Sequence, residues 1–199
     1  MPYTKDVLIG APDQAGATGA ILHADVGTTL PTIATVFAPS ASWRANFDGN
    51  EYVSEDGLTL APSISTNDIK DWSGATVRRV LAAFDGKISW QMLSTNEEAM
   101  NIAFGDDNVT ATAATTAHGN YLEVGLGAHL PDRQSFIFLM KDGDAKIAIV
   151  VPDGQITEVG EVSFKSTDAI KWPVTLSCYP DSSGQSIYIW TDDGQVASA

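Results

Sequence analysis

Lys87-Ile88-Ser89-Trp90-Gln91-Met92 alternates polar and apolar residues. Ile88, Trp90 and Met92 fall on one side, Lys87, Ser89 and Gln91 on the other. A period of two predicts a strand with one buried and one wet face. The beat recurs in Leu122, Val124 and Leu126 and in Trp172, Val174, Leu176 and Cys178, each alternating with small or polar residues. Three runs are apolar on both faces: Phe136-Ile137-Phe138-Leu139-Met140, Ile147-Ala148-Ile149-Val150-Val151 and Ile187-Tyr188-Ile189-Trp190. These predict strands covered on both sides, by an internal helix or by a neighbouring subunit.

Turn residues punctuate the strands. Lys141-Asp142-Gly143-Asp144 joins the first two doubly apolar runs as a hairpin. Pro152-Asp153-Gly154 predicts the next turn, and Pro180-Asp181-Ser182-Ser183-Gly184 another. One segment breaks the pattern: a helix over residues 95–104, capped by Ser94 or Thr95 with Glu97 or Glu98 completing the cap, and stopped by Gly105. The chain therefore reads as all-β with one flanking α-helix. Two stretches lack strong patterning. Residues 1–50 form a loosely patterned N-terminal arm, with weak strand candidates at Ile21-Leu22-His23 and Thr35-Val36-Phe37. Residues 55–74 read as a long loop.

The chain has 199 residues, enough for one domain that hides about 70% of its unfolded surface. Hydrophobic residues are 44% and charged residues 18%, a globular composition with little charge left over for a solvated surface. Eleven Lys and Arg face 25 Asp and Glu, for a net charge of −14. That balance argues against binding nucleic acid by phosphate neutralisation and against anionic membranes. Cys178 is the lone cysteine, so no internal disulfide and no cysteine zinc cluster is available. Neither a signal peptide nor an apolar run of membrane-spanning length is expected.

Catalytic chemistry has no visible carrier. His23, His118 and His129 are far apart and none sits at metal-ligand spacing; they read as scattered surface or loop residues. Asp106-Asp107-Asn108 lacks the glycine and bidentate glutamate of a calcium loop and reads as a helix-to-strand turn. Glu97 and Glu98 are adjacent on a helix and point apart. No nucleophile elbow, P-loop or metalloprotease motif occurs. Catalytic, cofactor and metal residues are all expected to be absent.

In order along the chain, Asp6-Val7-Leu8-Ile9-Gly10, Val26-Gly27-Thr28-Thr29-Leu30-Pro31, Tyr52-Val53-Ser54-Glu55-Asp56-Gly57-Leu58-Thr59, Trp72-x-Gly74-x-x-Val77-Arg78, Thr95-Asn96 through Phe104-Gly105, Asn108-Val109-Thr110, Ile147 to Pro152, Val159 to Val162 and Trp172 to Leu176 resemble the major tail protein of long-tailed siphovirus phages that infect actinobacteria. The resemblance covers most of the chain. It implies a single tail tube domain over 1–199, a β-sandwich or barrel with a flanking helix. It further implies homohexameric rings stacked into a tube that conducts double-stranded DNA during ejection, without specific binding. Expected partners are further copies of the chain, a tape-measure protein, a tail terminator and distal tail proteins, with no membrane. The protein would be made in the bacterial host cytoplasm and end in the virion tail. Some relatives carry a C-terminal immunoglobulin-like domain, for which this sequence leaves no room.

Within that expectation an acidic chain suits a conduit that must not hold DNA. Residues 55–74 become an inter-ring stacking loop. Glu55, Asp56, Asp68 and Asp71, near Lys70, Arg78 and Arg79, are candidates for ion pairs between rings or, equally, within the subunit. Trp72 is either an interface anchor or a side chain tucked under its own loop. Two readings stand beside this one. One is a monomeric β-sandwich binding module with Trp43, Trp72 or Trp190 exposed to carbohydrate. The other is a different phage structural protein, such as a tail terminator or capsid decoration protein.

Overall fold

A computed structural model describes residues 8–13, 20–38, 42–49 and 52–195. Most of it is antiparallel β-sheet. The strands are β1 (Ala11–Pro12), β2 (Ile21–Asp25), β3 (Val53–Lys70), β4 (Thr76–Met92), β5 (Val109–Thr112), β6 (Tyr121–Val124), β7 (Gln134–Asp142), β8 (Ala145–Val159), β9 (Trp172–Cys178) and β10 (Tyr188–Asp192). The helices are α1 (Ile33–Val36), a single turn, and α2 (Glu97–Phe104). The main sheet runs β1-β7-β8-β9-β4-β3; β2 joins β7, and β10 joins β8. β5 and β6 form a separate hairpin.

β8 organises the body. Its first half pairs with β10 through Val150↔Tyr188, and its second half pairs with β9 through Gly154↔Cys178. The strand thus passes from one partner to another, and Pro152-Asp153-Gly154, expected to be a turn, lies inside it. The two halves of the sheet face each other across one core. Trp90 of β4 meets Phe138 of β7 edge to face, ring centroids 5.3 Å apart. Ile88, Trp90, Met92, Val174 and Leu176, the inward residues of the alternating runs, are all buried there. α2 closes this core with Ala99, Met100, Ile102 and Ala103. Each large apolar side chain so buried contributes roughly 1.5–3 kcal/mol.

α2 begins one residue later than a Thr95 cap would start it and two later than a Ser94 cap. Asn96 is the cap, its Oδ1 accepting from the Ala99 amide at 2.9 Å. Thr95 is used elsewhere: its Oγ1 accepts from Trp172 Nε1 at 3.0 Å, pinning the helix start to β9. Gly105 ends the helix at φ 85°, a conformation that side chains with a Cβ avoid. Asp106–Asn108 then form a single 3-10 turn into β5.

A second core explains the doubly apolar strands. Ile137, Leu139, Ala148 and Val150 point away from α2 and pack on Leu22, Val36, Trp43 and Phe47. The cover therefore comes from the described residues between 21 and 49 of the same chain. That segment was expected to be loose; instead β2 pairs with β7, and α1 with a 3-10 turn at Ser42–Asn46 lies over the sheet. Thr35 and Val36 end α1 and Phe37 is its C-cap, so this run is not a strand, and Trp43 Nε1 donates to the Thr35 carbonyl at 3.0 Å. β10 departs from expectation too. Tyr188 and Trp190 are half-buried, but Ile189 is exposed.

Candidate functional site

β3 and β4 continue far past the body. Gly86 is the last residue of β4 paired with β9, opposite Cys178. Beyond it, Ser63↔Asp85 to Lys70↔Thr76 pair only with each other. Eight residues of strand reach about 25 Å. Residues 55–70, expected to be a loop, are thus strand, and only Asp71–Ala75 turn. At the arm's root a Cβ on Gly86 would lie 2.7 Å from Ile187 Cδ1, so glycine lets that side chain close against the hairpin.

The arm carries its apolar side outward. Paired residues share a face, so Leu58, Leu60, Ile64 and Thr66 line up with Trp90, Ile88, Phe84 and Leu81. Ala82 is an extra residue in β4, between the pairs Ser65↔Ala83 and Thr66↔Leu81. This bulge keeps Leu81 on the side of Phe84 and Ile64. The core face therefore runs out of the body as a bare stripe, with Ile64 68%, Leu81 67% and Phe84 45% exposed. Such stripes mark contact surfaces.

The tip gathers six of the eight expected site residues. Asp68 accepts from Arg79 Nε at 2.7 Å and Nη2 at 3.2 Å across the strands. That pair holds the Asp68 carboxyl below its ordinary range. Asp71 closes the turn: its Oδ1 accepts from the Ser73 hydroxyl at 2.6 Å and from the Ser73 and Ala75 amides at 2.9 Å. The Ser73 hydroxyl, then the Ala75 amide, holds this carboxyl low as well. Trp72 is entirely solvent-exposed at the turn, not tucked beneath it. Lys70 and Arg78 are exposed and make no ion pair among the described residues. Glu55 and Asp56 lie apart from this group, at the irregular root of β3 between Val53 and Leu58. The other two tryptophans considered for carbohydrate are unsuited to a platform: Trp43 is buried and Trp190 half-buried.

A second feature escaped the sequence. An open cleft of about 610 Å³ is lined by His23, Asp25, Asp48, Glu97, Glu98 and Asp106, among others. His23 is not a surface residue; it is 8% exposed, and its backbone exchanges hydrogen bonds with Asp48 at 2.8 and 2.9 Å. Its Nε2 lies 3.7 Å from Glu98 Oε1 and has no hydrogen-bond partner among the described residues. Burial pushes the His23 pKa down against the pull of Asp48, Asp106 and Asp25. Burial, then Asp48, pushes Glu98 up. No three His, Cys, Asp or Glu side chains are placed to hold a metal ion among the described residues.

A packed β body that extends a bare, apolar arm defines a protein of contacts with other chains. The chain belongs to the phage tail tube protein family, whose model matches residues 14–199. Its role is accordingly structural, not enzymatic, as a component of the virion. No curated protein matches the chain. Among solved structures it is similar to a chain of an extracellular contractile injection system, the PVC sheath-tube complex in its extended state. Identity there is 9% over 85% of this chain and 86% of that one, with a TM-score of 0.40. It is also similar to a chain of a native gene transfer agent virion (11% identity, 67% and 84% covered, TM-score 0.37) and to the tube-terminating cap of the anti-feeding prophage (12%, 96% and 100%, 0.38).

Proposed function

We propose that the chain is the repeating subunit of a siphovirus tail tube of an actinobacterial phage. Six copies form a ring, rings stack, and double-stranded DNA passes through the lumen during ejection. The subunit is made in the host cytoplasm and meets a tape-measure protein, a tail terminator and distal tail proteins during assembly. One observation carries the reading: an arm about 25 Å long, with its apolar side bare, on a body whose own cores are closed. Such a stripe is a cost to an isolated molecule and a contact surface in a polymer. The arm is the segment that bridges one ring to the next, with Trp72 at its leading end and Glu55 and Asp56 at its root. The charge of −14 fits a tube wall that does not retain DNA, because each phosphate held by Lys or Arg adds to binding.

Negative-stain electron microscopy of the purified protein at rising concentration tests this. Hollow tubes of stacked rings are expected. Closed rings that never lengthen would instead fit a terminator. A strict monomer at every concentration, with saturable carbohydrate binding lost in Trp72→Ala, would overturn the reading in favour of a binding module.

A further inference from the structure

The arm end and the acidic cleft have opposite electrostatic needs. Residues 59–85 carry three basic and three acidic side chains, so the whole net charge of −14 resides in the rest of the chain. At the tip, Arg79 is engaged by Asp68, whereas Lys70 and Arg78 project without an acidic partner among the described residues. The cleft gathers five carboxylates, those of Asp25, Asp48, Glu97, Glu98 and Asp106. None but Glu98 has an ion-pair neighbour among the described residues, and that neighbour is His23. Like charges around one concavity repel, and a cation brought among them is drawn in.

His23 does not supply that cation. Burial disfavours its charged form, and its Nε2 is enclosed, faces Glu98 and has no hydrogen bond among the described residues. A buried ring nitrogen left bare beside a row of carboxylates is a site short of a partner. A metal ion fits poorly, because no three ligands converge among the described residues. The donors that suit spread carboxylates are long cationic side chains.

We propose that this cleft is the socket for the arm end of a second copy of the chain, with Lys70 and Arg78 received by Asp25, Glu97 and Asp106. The inference rests on the tube-subunit reading above and names the receiving surface for its arm. The strand geometry supports it. β4 runs from Thr76 at the arm tip to Met92, and α2 starts just beyond, held by Thr95 to Trp172, the partner of Met92. The cationic tip and the helix start that bears Glu97 and Glu98 therefore lie at opposite ends of a 17-residue strand. Its contour is about 55 Å. A contact between unlike ends is heterologous: each copy offers one arm and one socket, and the contact propagates instead of closing on itself.

Charge reversal with reciprocal rescue tests the pairing. The variants are Lys70→Glu with Arg78→Glu, Glu97→Lys with Asp106→Lys, and all four together, each followed by sedimentation of polymer at ~0.1 M salt, where screening is moderate. All four positions are exposed, so circular dichroism should match the wild type, with the midpoint lowered only slightly where Glu97 is lost from the first turn of α2. Each reversed pair is expected to lower sedimented polymer about tenfold, and the combined variant to restore it to within about threefold. Reversals without effect, or a loss that the combination fails to restore, overturn the socket while wild-type tubes still support the tube reading. Polymer abolished by chelating divalent ions and indifferent to arm reversal assigns the cleft to a metal ion and overturns it too. A wild-type chain that never forms tubes sinks the reading beneath, and the socket with it.

Discussion

β7 and the outer part of the β3–β4 hairpin carry similar apolar side chains in opposite circumstances. In β7, Phe136 and Phe138 face α2 and β4 while Ile137 and Leu139 face Leu22, Val36, Trp43 and Phe47; all four are buried by their own chain. In the arm, Ile64, Leu81 and Phe84 lie on the continuation of the same core face, with no described element of the chain above them. Apolarity states that a residue gains from cover. It does not state which molecule provides it: β7 is covered by its own chain, whereas the arm's stripe is left to the neighbours of the proposed tube.

The comparison breaks most plainly at its buried end. Phe138→Ala should cost about 3–5 kcal/mol, through lost contact with Trp90 and a residual cavity. Denaturant unfolding of the purified variant measures it. A loss below ~1 kcal/mol would mean that the body is not sealed by itself. Asn96→Ala removes the cap that starts the helical lid and should cost about 1 kcal/mol in the same titration. An unchanged midpoint would make the lid independent of its cap.

A smaller effect concerns acid. The folded His23 pKa lies below 6.5, so as pH falls through 6.5 the unfolded chain takes up a proton that the folded one resists, and stability declines. Glu98 works the other way: its folded carboxyl binds a proton above the ordinary 4.5, so acid favours the folded form within that window. Glu98→Gln lacks that offset, so its thermal midpoint should fall more steeply than the wild type's as the pH is lowered toward 4.5. Equal slopes would remove Glu98 from the linkage. The smallest effect on folding is expected in the arm. Trp72→Ala and Leu81→Ser should leave the unfolding midpoint in place and yet reduce tube growth. A midpoint lowered as far as that of Phe138→Ala would show the arm to be covered by its own subunit, and the contrast would vanish.

The body was legible where burial imposes a period. Ile88, Trp90 and Met92 alternate because one face is packed, and the doubly apolar β7 run reads as covered on both sides. What covers it was not legible, since residues 21–49 carry scattered Gly, Ala, Thr and Pro rather than a periodic stripe. The arm was missed for the converse reason. With both faces wet beyond Gly86, residues 61–70 show no apolar-polar contrast, and Pro62 and Asn67-Asp68 imitate a loop. The extra residue at Ala82 further hides the link between Leu81 and Phe84. Of the expected site residues, six singled out by charge or as a tryptophan come together at the arm tip. Its pairing between Asp68 and Arg79 is local, as one of the two expectations allowed. The cleft had no signal at all, because it is assembled from β2, residue 48, α2 and the turn after it.

Cys178 has a practical bearing on all of these experiments. It is 7% exposed, and burial, with a smaller push from Asp85, raises its thiol to about 12. At neutral pH the reactive thiolate is therefore a minor form, and the sulfur is enclosed as well. The natural chain is therefore expected to label slowly with maleimides under native conditions. A cysteine installed at the tip or the cleft mouth would be the single labelled position, so fluorophores or cross-linkers can report arm and socket without first deleting the native residue.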